Sequence, residues 1–220
     1  MRSAIFSLLA IGTILTVLGC RLPVDEPTSE ADWPFDQELL RAAGEYQTWG
    51  RVDDAARWAP YYCREPSPAQ PRLSASADVQ THGQKLYSLF AKNRHEYLLT
   101  NKTKPATIGQ VIVKQSFATE ATADLKAGDA DPRKNFALNG GPNAFFPFAV
   151  KGDTVYKAGE LAGLFVMLKL DPNTPGTDEG WVYGTVTADG KSVTSAGMVE
   201  SCMKCHREAK HNRIFGLPSK

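Results

Sequence analysis

The feature that most limits what this chain can become is Cys202-Met203-Lys204-Cys205-His206, close to its C-terminus. Two thiols about one helical turn apart, followed at once by an imidazole, make the C-x-x-C-H attachment signature of a c-type haem. The thiols can add to the two vinyl groups on one porphyrin edge, and the histidine beside the second thiol then falls beneath the iron as an axial ligand. The spacing predicts one haem c held by Cys202 and Cys205, with His206 as the metal ligand. Two other chemistries use closely spaced cysteines. A thioredoxin-type pair opens a helix after a strand in a βαβ unit, and nothing in this chain alternates in that way. A zinc site needs a second pair of ligands at similar spacing, which Cys63 with His82 does not supply.

The N-terminus predicts export. Arg2 precedes an apolar run from Ala4 to Leu18 that ends in Val17-Leu18-Gly19-Cys20. A short basic region, an apolar stretch and a small residue at the cut site form a secretory signal, and the run is shorter than the roughly 20 apolar residues of a membrane span. Residues 1–19 are therefore read as the signal. The Val-Leu-Gly-Cys end resembles the lipobox of bacterial lipoproteins, which makes Cys20 the expected lipidation site and places the protein on the periplasmic side, anchored to the membrane through lipid only. Residues 20–32, rich in Pro, Glu, Asp and Ser, read as a flexible tether. Covalent haem agrees with export, because c-type cytochromes mature outside the cytoplasm.

Between these ends the pattern is mixed. Phe35, Leu39, Leu40 and Ala43 recur at helical spacing, so residues 35–46 are expected to form a helix. Residues 64–80 carry Pro66, Pro68 and Pro71 and read as a loop. This sets residues 33–79 apart as an N-terminal helical and loop extension, and residues 80–220 as the haem domain. Strands are expected at 85–90, 109–117, 161–170 and 181–187, which are rich in β-branched and aromatic residues. A short helix is read at 93–99, a long loop at 122–143, and a last helix over 199–210. The fold class is α+β: a mostly antiparallel sheet with packed helices and the haem-binding helix at the C-terminus. Lys+Arg number 25 against 24 Asp+Glu, so the chain lacks the basic footprint of a nucleic-acid binder, and no nucleic-acid partner is expected. A hydrophobic content of 42% with 22% charged residues excludes a wholly disordered chain.

A C-x-x-C-H motif behind a β-rich domain is unlike the small all-helical cytochromes c, where it lies near the N-terminus. The order resembles the cytochrome P-460 family, which includes cytochrome c-prime-beta. Three stretches carry the resemblance: Gly83-Gln84-Lys85-Leu86-Tyr87-Ser88-Leu89-Phe90 with Glu96-Tyr97-Leu98 after it, Gly109-Gln110-Val111-Ile112-Val113-Lys114-Gln115, and Val199 to Ala209 trailing to Phe215. The apolar strand Leu164 to Leu170 and Gly180-Trp181-Val182-Tyr183 fit between them. The resemblance covers about residues 80–216. It implies an antiparallel sheet with helices, commonly a homodimer, holding one haem c whose distal face is open. Some members oxidise hydroxylamine, and the c-prime-beta members bind nitric oxide. In the hydroxylamine-oxidising members a lysine in the G-x-V-x-V-K stretch bonds to the porphyrin edge, and that lysine would be Lys114. On the residues alone, Lys114 shares a strand face with Ile112 and Ser116, opposite Val111 and Val113, where a lysine is ordinarily solvated.

The resemblance is not complete. The enzymatic members carry a distal carboxylate in the strand before the apolar run, and the matching stretch here, Asn143 to Val150, holds no acid. Phe145, Phe146 and Phe148 would cap the iron with a dry surface suited to a neutral diatomic ligand, or simply pack in the core; Glu160 or Asp153 could supply the acid from elsewhere. Candidates for a sixth iron ligand are Met167, Met198, His82, His95 and His211, with Met167 read as core, His95 as surface and His82 as the one that opens the first matching strand. Cys63 is left without a partner and reads as a buried free thiol or an intermolecular disulfide. Three functions follow. The first is hydroxylamine binding and oxidation, with Lys114 as the catalytic crosslink and a partner cytochrome taking the electrons. The second is nitric oxide binding without turnover, and the third is six-coordinate electron transfer.

Overall fold

The computed structural model describes residues 33–58, 68–78, 82–100, 104–133, 145–209 and 211–215. The expected signal, the expected tether, the expected lipidation site Cys20, and Cys63 lie outside these residues. So does the latter part of the expected long loop, from 134 to 143. No helix among the described residues is long and apolar enough to cross a membrane.

Seven strands form one antiparallel sheet: β1 (Arg72–Leu73), β2 (Leu86–Ala91), β3 (Val111–Thr122), β4 (Phe148–Lys151), β5 (Thr154–Lys169), β6 (Trp181–Val186) and β7 (Val193–Gly197). Their order is β1-β2-β3-β5-β6-β7, with β4 pairing the outer half of β5. Four helices accompany them: α1 (Asp36–Trp49), α2 (Ala55–Trp58), α3 (Arg94–Leu99) and α4 (Glu200–His206). The expected mostly antiparallel sheet with a helix near the C-terminus is what the chain forms, though among the described residues the helices are few and α4 is short.

Alternation along the strands divides the core in two. Val113 and Gln115 of β3, Leu164, Val166 and Leu168 of β5, and Val182 of β6 face α1. Leu39, Ala42, Ala43 and Tyr46 meet them from α1 at intervals of three and four residues, and all are buried. Burial of a side chain such as Leu39, with none of its surface exposed, contributes about 1.5–3 kcal/mol. The buried amide of Gln115 is satisfied by the Tyr46 hydroxyl at 3.0 Å. The opposite face presents Leu89, Ile112, Met167 and Tyr183, and Met203 of α4 with Ile214 covers part of it.

The stretch 33–79 is therefore no separate extension in its described part. It supplies α1 to the core and β1 to the sheet edge, where Arg72 and Leu73 pair with Tyr87 and Leu86. Strand β5 is longer than the expected 161–170, and the sequence signal explains the shortfall. Its second half is buried on both faces and reads as an apolar run. Its first half alternates exposed residues in a hairpin arm with β4 and the end of β3, and has no such run. Edge strand β7, made of Val193-Thr194-Ser195-Ala196-Gly197, gives only a weak β signal for the same reason. α4 ends at His206 rather than continuing to 210.

Candidate functional site

The sheet face away from α1 is a ladder of side chains in register. One rung is Ala91–Ile112–Met167–Tyr183, the next is Leu89–Lys114–Phe165–Thr185, and a third begins with Tyr87–Ser116. Same-face residues two apart are separated by about 6.8 Å along a strand. Over these rungs lies a cavity of about 580 Å³, within the roughly 300–1,000 Å³ of small-molecule and cofactor sites. Its floor is Tyr87, Leu89, Ile112, Lys114, Phe165 and Met167; Cys202, Cys205 and His206 of α4 and Ser74–Ala77 with His82 complete the walls. Four of the site residues expected from sequence, Cys202, Cys205, His206 and Lys114, thus line one cavity.

α4 is short, and its orientation is fixed from its C-terminal side. His206 Nδ1 lies 2.7 Å from the backbone oxygen of Arg213. A carbonyl only accepts, so Nδ1 carries the proton and donates it, which leaves the Nε2 lone pair free for a metal. That carbonyl is presented by an unusual turn, in which Asn212 and Arg213 both have positive φ, of 50° and 64°. The turn is held by its own side chains. Asn212 Oδ1 accepts from the Ala106 N–H at 3.2 Å, and Arg213 Nε donates to Asp178 Oδ2 at 2.8 Å. Asp178 is 4% exposed and also accepts from Arg207 and from the Tyr183 hydroxyl. Burial pushes its carboxyl group up, but the hydrogen bonds from Arg213, Arg207 and Tyr183 outweigh this and hold it below the ordinary value. The His206 ring packs between Tyr183 at 5.4 Å and Phe215 at 5.1 Å. Its burial holds the imidazole below its ordinary pKa, in the neutral form that a metal needs.

Cys202 and Cys205 are both free thiols, not a disulfide. Cys202 is half-buried beside Met203 and Val199, and burial pushes its thiol up. Cys205 is exposed. Among the described residues no three His, Cys, Asp or Glu side chains gather as a metal cluster, so the protein-only zinc alternative finds no ligand set there.

Lys114 is not solvated as a strand lysine ordinarily is. Its Nζ lies 4.4 Å from the Tyr87 ring centre and 5.7 Å from that of Phe165, and burial with the nearby Lys85 lowers its pKa to about 8. His82 meets Phe165 edge-on at 4.4 Å, with its buried Nδ1 unpartnered. Burial, then the charges of Lys114, His206 and Lys85, hold its pKa down to about 3.

Three expected residues are elsewhere. Phe145, Phe146 and Phe148 do not line the cavity: Phe145 stacks on Phe117 under the Arg51 guanidinium, and Phe146 packs on Phe148. The phenylalanine in the cavity floor is Phe165, which the sequence offers only as part of an apolar strand. Asp153 and Glu160 are likewise absent from the cavity wall, whose one carboxylate among the described residues is the exposed Glu208. Of the other sixth-ligand candidates, Met198 and His95 are exposed, and His211 does not line the cavity. Met167 is both a core residue and part of the floor.

The donor set fits a haem c: two unpaired thiols, an imidazole whose free nitrogen is fixed by its partner, and an apolar cavity of cofactor size. No curated protein matches the chain. A family model, cytochrome P-460, matches residues 73–215, which spans β2 to β7 and α4. The match covers well over half of the chain, and this chain belongs to the cytochrome P-460 family, whose members are haem c proteins.

Proposed function

We propose that this protein is an exported haem c protein that binds hydroxylamine, or a closely related small nitrogen species, and passes its electrons to a partner cytochrome. The observation that carries the reading is the convergence of Cys202, Cys205, His206 and Lys114 on one cavity. Cys202 and Cys205 form the two thioether bonds and His206 supplies Nε2 to the metal. When bound, haem c supplies a redox iron with a face open to a small ligand. Ile112, Met167 and Phe165 keep water from the floor, which strengthens every polar contact made above it.

Lys114, in the same cavity, is the residue we assign to a bond with the porphyrin edge. A pKa of about 8 leaves a fraction of the amine neutral near neutral pH, and only the neutral amine has a lone pair for a carbon–nitrogen bond. Lipid anchoring at Cys20 and a periplasmic location belong to the same proposal, since covalent haem attachment and the electron acceptor are both extracytoplasmic. A homodimer is what the family resemblance adds.

A second reading, nitric oxide binding without turnover, is favoured by one feature: no carboxylate rises from the cavity floor. One titration separates the two. Ferric, haem-loaded protein is mixed with hydroxylamine in the presence of a one-electron acceptor, and both the haem spectrum and the acceptor are followed. The proposal predicts a spectral change on binding and steady reduction of the acceptor. Binding with no reduced acceptor transfers the assignment to nitric oxide. No spectral change with hydroxylamine removes the first reading, and none when nitric oxide is added to the ferrous protein removes the second.

A further inference from the structure

With no carboxylate on the floor, the cavity still contains one unused base. His82 sits in the turn that leads into β2. The turn is tight: the His82 and Gly83 N–H groups both donate to the Asp78 carbonyl, and a Cβ on Gly83 would lie 2.7 Å from that carbonyl group. No side chain larger than hydrogen fits there, so the turn that aims His82 depends on Gly83. The imidazole is a wall of the same cavity as His206, but it stands over a different rung. His206 rests on Tyr183 and His82 on Phe165, which occupy successive rungs about 6.8 Å apart along the strands. The two imidazoles thus line one cavity from different rungs.

A buried imidazole nitrogen without a hydrogen bond is costly, since desolvation is not repaid. Nδ1 of His82 is such an atom. Burial, then the charges of Lys114, His206 and Lys85, disfavour a second proton and keep the ring neutral, with one nitrogen bearing hydrogen and the other a lone pair. Nδ1 is closed off inside the protein while the ring lines the cavity, so Nε2 is the nitrogen left for a ligand there that bears N–H or O–H hydrogens.

We propose that His82 is the distal base of this site, accepting a hydrogen bond from the N–H or O–H group of a hydroxylamine molecule held at the haem iron. The inference rests on the haem reading above and adds to it the residue that receives the ligand's hydrogen. It also accounts for a cavity whose floor carries no acid yet which is not wholly apolar.

The test uses haem-loaded full-length protein and the variants His82→Leu and His82→Gln. Hydroxylamine affinity for the ferric form is read by absorption titration, and carbon monoxide affinity for the ferrous form serves as the control, because carbon monoxide has no hydrogen to donate. Loss of one hydrogen bond in a dry site predicts hydroxylamine binding weakened about tenfold in His82→Leu, partial recovery in His82→Gln, whose amide oxygen still accepts, and unchanged carbon monoxide affinity. Equal hydroxylamine affinity in wild type and His82→Leu overturns the inference while leaving the haem reading intact. A low-spin wild-type ferric spectrum that turns high-spin in His82→Leu also overturns it, because His82 would then be an axial ligand and the protein an electron carrier. Protein that matures without haem removes the haem reading and this inference together.

Discussion

Lys114 shows how a single side chain takes its chemistry from its surroundings. Burial among Tyr87 and Phe165, together with Lys85, lowers its pKa from 10.5 to about 8 in the folded chain. Between pH 8 and 10.5 the unfolded chain keeps a proton that the folded chain has lost, so stability rises with pH through that window; below pH 8 both states are protonated and the contribution vanishes. Urea unfolding of a Cys202→Ser/Cys205→Ser variant, which holds no covalent haem and leaves the amine free, is expected to show this rise. Lys114→Met in the same background is expected to flatten it; an unchanged slope would mean that the amine is solvated. The strand face of Lys114 was legible from the alternation Ile112, Lys114, Ser116, because a period of two fixes sidedness. The depth of burial was not legible, because it depends on Tyr87 and Phe165 arriving from two other strands. Phe145, Phe146 and Phe148 illustrate the converse. Their apolar character was plain, but a sheet buried on both faces offers them two destinations, and local sequence does not choose between these.

At the scale of elements, the site depends on how α4 and the turn after it are fastened to the β5–β6 connection. Asp178, buried in that connection, receives Arg213, Arg207 and Tyr183. Arg207 is 47% exposed along its side chain and adds little, whereas Arg213, 15% exposed, is the substantive partner. Removing one member of a buried pair leaves the other charge uncompensated, so Asp178→Ala is expected to lower unfolding free energy by about 3–5 kcal/mol in urea. It should also raise the haem reduction potential, because the Arg213 carbonyl would no longer hold the His206 proton and the imidazole would become a poorer donor to ferric iron. A loss of stability with an unmoved potential would limit Asp178 to scaffolding. Gly180 is the second fastening point. It has a φ of 82°, and a Cβ there would collide with the Leu170 carbonyl oxygen, so Gly180→Ala is expected to destabilise the same connection. The motif made α4 legible, and four periodic positions made α1 legible. The Asp178 network was not, since its members are brought together only by the closure of the 211–214 turn onto a hairpin.

For the whole molecule, one sheet serves two purposes on its two faces. α1 closes one face with a fully buried apolar core, and that closure leaves the other free to present an aromatic and cationic floor under α4. The division explains why α1, which precedes the family match, still belongs to the working structure: it covers the back of the sheet whose other face carries the cavity. The central claim is that this cavity holds one haem c through Cys202 and Cys205, with Lys114 at its edge. Its most direct test is intact mass and peptide mapping of protein matured in a host that attaches c-type haem. The account predicts a mass increased by one haem and a haem peptide containing Cys202 and Cys205 that is also joined to the peptide bearing Lys114. A chain of unmodified mass with both thiols free would contradict it.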